Sequence, residues 1–241
     1  MNPQACVADS AVLGPGVQVD PLAYIGPETH VGARTRIGSG CYLGAGVHVG
    51  EDCVLEAGVV ILDGCTIGHR VRMAPGSVLG TDGFGYAQDE GRHHKIPQVG
   101  TVDIGDGVCM GAGVCIDRAT TGATRVGADC ELGPMVQLGH NVRLGARCRL
   151  DFQVGIAGSS VLGDDVVIEA QAGLHQHITV GSGAHLGPRA GVINNIPEGA
   201  WYTGFPARPQ EETAAIDQAV ASLPQWLREN FKNPPPATQE P

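Results

Sequence analysis

One histidine, His140, lies in the segment VQLGHNVRLG between polar neighbours that can hold an imidazole ring. The unperturbed pKa of histidine is about 6.5, so a neutral ring can accept a proton near neutral pH. Gln137 precedes His140 and Asn141 follows it, and either side chain can hydrogen-bond the ring or a polar substrate. His140 is therefore the first candidate for a general base, and an ordinary surface histidine is the alternative.

Two further groups of polar residues are candidates for binding. His175 and His177 form a His-x-His pair, but no third ligand follows at a spacing typical of zinc, so no metal site is predicted. His177 is a candidate for substrate binding, with a plain polar turn as the alternative. Arginines near His140 indicate either a basic strip for an acidic partner or a solvated charged face. These arginines are Arg125, Arg143, Arg147 and Arg149, of which Arg143 is the substrate-binding candidate.

Composition limits the class of protein. The chain has 241 residues and a net charge of −10, which argues against generic binding to nucleic acid or anionic membranes. No apolar run approaches the ~20 residues that span a bilayer, and the first residues lack the pattern of a signal peptide. We therefore expect a cytoplasmic protein. Aromatic residues make up only 4%, so any core must be built from aliphatic side chains.

A six-residue repeat accounts for most of the chain. An aliphatic residue recurs at every sixth position through residues 7–79, 104–116 and 126–192. Neither a helix nor a single flat strand has this period, which is typical of the hexapeptide repeat of a parallel β-helix. Glycine often follows the aliphatic residue, and we expect it to supply the backbone angles of the turns. The repeats suffice for about nine coils.

The fifth position of each hexad is small or β-branched, which predicts a second inward-facing residue. Several cysteines occupy this position and are expected to be reduced thiols packed in the core. They are Cys41, Cys53, Cys65, Cys130 and Cys148.

We therefore predict an all-β fold with short C-terminal α-helices. A left-handed parallel β-helix would cover residues 1–200, with a loop ejected at about 81–103. A helical extension would cover 201–232 and restart near Ser222, and the tail 233–241 would be disordered. The loop interrupts the repeat, and such interruptions often lie on the binding face of a solenoid.

The length of a coil gives His140 a neighbour. Proteins with this repeat place three hexads, or 18 residues, in each turn, so Gly158 is expected to stack beside His140. Adjacent strands lie about 4.8 Å apart. A glycine at this distance lets a substrate approach the backbone, and its N–H can stabilise an oxyanion. His140 and Gly158 are therefore the candidate catalytic pair, with an ordinary surface histidine on a turn still the alternative.

Three segments resemble one family closely. They read GTDGFGYAQDEGRHHKIPQVGTVDIGDGVCMGAGVCIDRAT, VQLGHNVRLG and VGIAGSSVLG. They are similar to the catalytic domain of the UDP-3-O-acylglucosamine N-acyltransferases, which are hexapeptide-repeat acyltransferases of lipid A biosynthesis. The likeness covers roughly residues 1–208.

The resemblance implies a homotrimer with active sites in clefts between subunits. The enzyme would move a 3-hydroxyacyl chain from acyl carrier protein to the 2-amino group of the nucleotide sugar. The donor would carry phosphopantetheine, and no cofactor would be bound. The resemblance gives His140 the role of base and Gly158 that of oxyanion donor. It also implies that His177 positions substrate or carrier, and Phe84 and Tyr86 are expected to wall the site.

The chain departs from the family pattern at three places. It starts directly in hexads, without the usual N-terminal nucleotide-binding domain. Gly133 and Pro134 stand where the family usually has an Asp-Asn pair. The segment TGFPARP resembles the closing motif of CoA-dependent sugar acetyltransferases. Two alternatives therefore stay open: a CoA-dependent acetyltransferase acting on a nucleotide sugar, and a non-catalytic trimeric β-helix scaffold.

Overall fold

The hexads fold into short parallel strands that coil around one aliphatic core. A computed structural model describes residues 2–230. Before the first interruption, the strands are β1 (Cys6–Val7), β2 (Val12–Leu13), β3 (Gln18–Val19), β4 (Tyr24–Ile25), β5 (His30–Val31), β6 (Arg36–Ile37), β7 (Tyr42–Leu43), β8 (His48–Val49), β9 (Val54–Leu55), β10 (Val60–Ile61), β11 (Thr66–Ile67), β12 (Arg72–Met73) and β13 (Val78–Asp82).

The predicted interruption forms a hairpin of two antiparallel strands, β14 (Tyr86–Asp89) and β15 (Arg92–Lys95). The coils then resume with β16 (Thr101–Ile104), β17 (Cys109–Met110), β18 (Cys115–Arg118), β19 (Ala123–Val126), β20 (Glu131–Leu132), β21 (Gln137–Leu138), β22 (Arg143–Leu144), β23 (Arg149–Leu150), β24 (Gly155–Ile156), β25 (Val161–Leu162), β26 (Val167–Ile168), β27 (Gly173–Leu174), β28 (Thr179–Val180), β29 (His185–Leu186) and β30 (Gly191–Val192). Two further strands, β31 (Trp201–Thr203) and β32 (Arg208–Pro209), precede helix α1 (Gln210–Asn230).

Apart from the hairpin strands and the consecutive pair β31 and β32, every third strand of the coils belongs to the same sheet, so the solenoid has three faces. The first sheet has 10 strands and runs from β1 through β4 and β13 to β30. The second has 9 strands, from β2 to β28, and the third has 11, from β3 to β32. The prediction of a parallel β-helix is confirmed, with nine to eleven strands on each face.

The core is a stack of the predicted aliphatic residues. Ile25, Leu43, Ile61 and Leu138 are fully buried, as are the cysteines at the fifth position. Burying one such aliphatic side chain contributes roughly 1.5–3 kcal/mol, so the repeat itself supplies the main stabilising term. All eight cysteines are free thiols, and burial raises the pKa of Cys53, which keeps this thiol protonated and inert.

The role predicted for the repeated glycines is wrong. In the regular coils the residues with positive φ lie two positions after this glycine, with Gly80 as an exception, and many of them are not glycine, such as Leu22 with a φ of 63°. The glycine that follows the aliphatic residue is required by close approach between coils. A β-carbon on Gly32 would lie 2.5 Å from the carbonyl carbon of Gly50 in the next coil. Steric contact, rather than backbone freedom, therefore explains this part of the repeat.

The C-terminal prediction of separate short helices is also corrected. Helix α1 is continuous from Gln210 to Asn230 and contains Pro224. Proline removes one backbone hydrogen bond, but Val220, whose carbonyl loses its partner, is 63% exposed and can bind water instead. Residues 231–232 of the predicted helical extension and the predicted disordered tail lie outside the described residues. Within residues 2–230, no helix has the length and apolarity needed to cross a bilayer.

Candidate active site

A groove of about 720 Å³ lies on the outer face of the first sheet. Its floor continues the register from Gln137 through Gly155 and Gly173 to Gly191. A β-carbon on Gly155 or Gly173 would meet no atom within 4 Å, whereas the ring of Phe205 covers Gly191. The missing side chains leave a smooth furrow that can receive an extended apolar chain. The lining residues are Phe84, Asp117, Gln137, Gly139, His140, Gly155, Ile156, Ala157, Gly158, Gly173, Leu174, His175, Gln176, Gly191, Val192, Ile193 and Phe205.

His140 lies at one end of this groove, on the turn after β21. Its imidazole ring is held between two glycines. A β-carbon on Gly158 would lie 2.6 Å from His140 Nε2, and one on Gly83 would lie 2.8 Å from Cδ2 of the same ring. Gly158 comes from the next coil, and Gly83 from the segment that leads into the hairpin. The structure therefore brings His140 and Gly158 together, as the coil length predicts, and adds Gly83 on the other side.

Asn141 fixes which ring nitrogen of His140 carries the proton. The Thr120 N–H donates to Asn141 Oδ1 at 2.9 Å, and Asn141 Nδ2 donates to the Thr121 carbonyl at 3.0 Å. These backbone groups have unambiguous roles, so the orientation of the amide is set. His140 Nδ1 lies 3.1 Å from Asn141 Oδ1 and must be the donor in that contact. Nε2 is then left with a lone pair beside Gly158.

Two more side chains support this arrangement. Thr120 Oγ1 lies 3.5 Å from His140 Nδ1 and donates to Gln98 Oε1 at 3.0 Å. Gln98 is buried, with 7% of its surface exposed, and its own amide donates to the Ile96 carbonyl at 3.0 Å. The network joins the base of the hairpin to the turn that carries His140, so the ring orientation depends on the hairpin being in place.

We predict that Asn141→Gly allows the proton of the neutral His140 ring to occupy either ring nitrogen. Glycine tolerates the φ of 61° at this turn, so the change removes only the side chain. Nitrogen-15 NMR of the imidazole should show Nδ1–H alone in the natural protein and a mixture of tautomers in the variant. Turnover should fall about tenfold, because part of the population loses the Nε2 lone pair.

The control for Asn141→Gly is Glu28→Gly, which changes the equivalent turn position, with a φ of 58°, in a distant coil. It should alter neither the imidazole spectrum nor turnover. A pure Nδ1–H spectrum in Asn141→Gly would contradict the role of this amide.

The Gly158 N–H is free to act as a donor. It makes no hydrogen bond to any residue in the described part of the chain, although the Gly158 carbonyl accepts from the His177 N–H at 3.1 Å. A free N–H next to the imidazole nitrogen that has the lone pair of the neutral ring is the arrangement that acyl transfer requires.

The sequence analysis missed an acidic residue in the groove. Asp117 Oδ1 accepts from Thr81 Oγ1 at 3.0 Å and from Gln137 Nε2 at 3.2 Å. Burial raises the pKa of Asp117, and the two hydrogen bonds oppose this shift only in part. Gln137 thus lies in the groove, but its side chain donates a hydrogen bond to this carboxyl rather than to the imidazole. A single aspartate at the end of a hexad strand carries no sequence signal that sets it apart.

The predicted aromatic residues lie on the hairpin side of the groove. Phe84 lines the groove and is 88% exposed. Its ring centroid lies 5.2 Å from that of Tyr86, which is outside the groove. The hairpin therefore presents one aromatic side chain to the site and supports it with the other.

Two binding candidates lie elsewhere. The exposed His177 is at a turn outside the groove, which His175 and Gln176 line instead. Arg143 is on the second sheet, opposite Arg125. The other arginines of the predicted strip are paired with acids at the surface, which leaves little net positive potential. These pairs are Arg125 with Asp103 at 3.4 Å, Arg147 with Asp165 at 2.8 Å, and Arg149 with Glu131 at 3.8 Å.

Neither Gly133 nor Pro134 lies in the groove. Both line a separate trough on the third sheet, together with Arg149. In the part of the chain that the structure describes, no three or more histidine, cysteine or acidic side chains are grouped to hold a metal ion.

Comparison with models of known families identifies the hexapeptide repeats. Residues 10–45 and 46–81 match the model of the bacterial transferase hexapeptide (six repeats), and residues 29–62 match that of the hexapeptide repeat of succinyl-transferase. The fold is similar to the crystal structure of an Arabidopsis UDP-N-acetylglucosamine acyltransferase. The TM-score is 0.79 at 21% identity, and the match covers 100% of this chain and 86% of that one.

Matches over two thirds of the chain are found among curated relatives. A UDP-3-O-acylglucosamine N-acyltransferase of a Caulobacter species is 38% identical over 162 residues, which cover 67% of this chain and 44% of the relative. One from Rhodopseudomonas palustris is 42% identical over 162 residues, covering 67% and 40%. The chain therefore spans less than half the length of these relatives. The resemblance inferred from the motifs is confirmed.

Proposed function

Because this chain is similar to UDP-3-O-acylglucosamine N-acyltransferases over two thirds of its length, we propose that it is an N-acyltransferase of the same kind. It would move a 3-hydroxyacyl chain from acyl carrier protein to the 2-amino group of UDP-3-O-acylglucosamine in lipid A synthesis. The observation that carries the proposal is the Nε2 of His140, the nitrogen left with a lone pair when the neutral ring donates through Nδ1 to Asn141, beside the unpaired N–H of Gly158.

The proposed reaction uses both groups in turn. The amine nitrogen attacks the thioester carbonyl carbon while His140 Nε2 accepts a proton from that nitrogen. The carbonyl oxygen becomes an oxyanion, which the Gly158 N–H stabilises. The carbon–sulfur bond then breaks, and the imidazolium returns its proton to the departing thiolate. The products are an amide and a free thiol, and the neutral imidazole is restored.

The shape of the groove favours a long acyl chain over an acetyl group. The furrow over Gly155 and Gly173 extends two coils beyond His140 and ends at the exposed ring of Phe205. An acetyl group would occupy only the first part of this apolar surface. The apolar surface that an acetyl group leaves uncovered supports a donor with a long acyl chain. Burial of such a chain is favourable by about 0.8 kcal/mol per methylene group.

The proposal includes a homotrimer in which a neighbouring subunit encloses the groove. The groove lies on one sheet of the solenoid, and Phe84 beside it is largely exposed. A flat site of this kind excludes water from a thioester only if another surface covers it. Eight free thiols support a reducing compartment, and we place the protein in the cytoplasm. The molar mass in solution, measured by light scattering, tests the trimer.

An acyl-transfer assay tests the function. Purified protein is offered 3-hydroxyacyl thioesters of acyl carrier protein, or acetyl-CoA, with UDP-3-O-acylglucosamine and a panel of amino sugars. Mass spectrometry should detect a new 3-hydroxyacyl amide on the nucleotide sugar. An acetylated product alone would favour the CoA-dependent alternative, and no product from any pair would favour a scaffold.

A further inference from the structure

Asp117 is an acidic group in the groove without a cation of its own. Both of its hydrogen bonds reach Oδ1, and Oδ2 has no partner among residues 2–230. No ion pair of the described chain includes this carboxyl. A half-buried carboxylate without a counter-charge is costly, so this position favours a ligand that brings a positive charge.

The cations near Asp117 are held by other groups. Lys95 donates to the Gly83 carbonyl and lies 4.0 Å from Asp82. Arg118 Nε donates to the Gly80 carbonyl at 2.7 Å, and its terminal nitrogen donates to the Asp63 carbonyl at 3.0 Å. His140 is neutral when its Nε2 lone pair is available. The Cys115 thiol, whose pKa is raised by burial and then by the charge of Asp117, brings no positive charge. The carboxyl therefore faces the groove with only weak electrostatic compensation.

Amide formation from an ammonium ion requires one more proton acceptor in the site than ester formation from an alcohol does. Near pH 6.5 an amine whose pKa is close to that of an α-amino group, about 8, is mostly protonated, so the nucleophile enters as an ammonium ion. That ion must lose one proton before it can attack and a second as the carbon–nitrogen bond forms. His140 accepts the second proton and passes it to the leaving thiolate. The first proton needs another acceptor.

We propose that Asp117 binds the ammonium group of the acceptor and accepts its first proton. This inference rests on the proposed function. The carboxylate and the ammonium ion become a carboxylic acid and a free amine, and the amine then attacks the thioester as described. Asp117 releases its proton to water when the product leaves. The balance is one ammonium ion and one thioester giving one amide, one thiol and one proton.

Two observations suit Asp117 to this step. Its pKa is raised by burial, which makes it a better proton acceptor than an exposed carboxylate. Thr81 and Gln137 fix the carboxyl through Oδ1 and leave Oδ2 for the acceptor. A hydroxyl acceptor has neither the positive charge nor the extra proton. Asp117 would therefore select amines over alcohols in the same groove.

The test uses Asp117→Asn, whose Oδ1 can still accept from Thr81 and Gln137. With the amino acceptor, kcat/KM should fall about tenfold or more near pH 6.5, and the deficit should close as the pH rises to about 9, where the free amine is abundant. Asp103→Asn, at an exposed acid of the second sheet outside the groove, should match the natural protein throughout. A deficit that is constant with pH, or no deficit, would overturn the proposal.

A binding measurement separates this inference from the proposed function. Calorimetry near pH 6.5 compares the amino sugar nucleotide with its analogue carrying a hydroxyl group in place of the amine. The natural protein should prefer the amine several-fold, and Asp117→Asn should lose that preference. Equal affinities in the natural protein would reject the role of Asp117. If the preference is present but no thioester gives an amide, the transferase proposal fails and the ammonium site stands.

Discussion

Replacing His140 by alanine is expected to lower kcat at least about 100-fold, which is the usual cost of losing a general base. The half-buried ring lies on a turn and packs against two glycines, so its removal leaves the aliphatic core untouched. The melting temperature should therefore stay within a few degrees of the natural value. Turnover measured under saturating substrate, beside thermal unfolding, separates catalysis from folding.

His48→Ala is the matched control for His140→Ala. His48 lies on the outer face of the second sheet, away from the groove, and its ring stacks on that of His30 with centroids 4.9 Å apart. Its loss should leave turnover unchanged. Near-normal turnover in His140→Ala would remove this histidine from the mechanism.

Gly158→Ala is expected to have the second-largest effect, a loss of about 100-fold in kcat, because a displacement near 1 Å in a catalytic group can cost this much. The new methyl group would lie 2.6 Å from His140 Nε2 and 2.8 Å from Cε1, so the ring must move. The three atoms nearest the new methyl group all belong to that side chain, so the coil itself can remain. A crystal structure of the variant should show a displaced imidazole in an intact solenoid.

Gly32→Ala is expected to lower stability without changing the activity of the folded protein, which is the opposite of the effect expected for Gly158→Ala. Its methyl group would meet the backbone of Gly50 and Glu51 at 2.5 and 2.6 Å, far from the groove. This variant should unfold at a lower temperature, yet each folded molecule should retain its activity. Gly158→Ala with full activity would show that His140 does not need its present position.

The six-residue repeat made both the solenoid and the contact between His140 and Gly158 predictable. A strict six-residue period fixes the register between coils, so the pairing of Gln137 with Gly155 already places His140 beside Gly158. Local sequence is enough here because every coil repeats the same geometry. The sequence did not reveal the network behind the imidazole. Thr120 and Gln98 reach it from two irregular segments whose paths no periodicity describes.

Distance along the chain does not decide which sheet a residue lies on, as Arg143 shows. This residue is three positions from His140, but a corner of the prism separates them, and Arg143 lies on the second sheet. Asp117 shows the converse case. It is far from His140 in sequence, yet both line one groove because the strands of the first sheet stack in register.

The coiled architecture also makes the number of coils independent of the geometry of the groove. Each rung of a solenoid touches only the rungs before and after it, so stability is a sum of local terms. The coils from β1 to β12 contribute no residue to the groove. Adding or removing a whole turn among these coils would therefore change the height of the solenoid and leave the reacting atoms in their mutual positions.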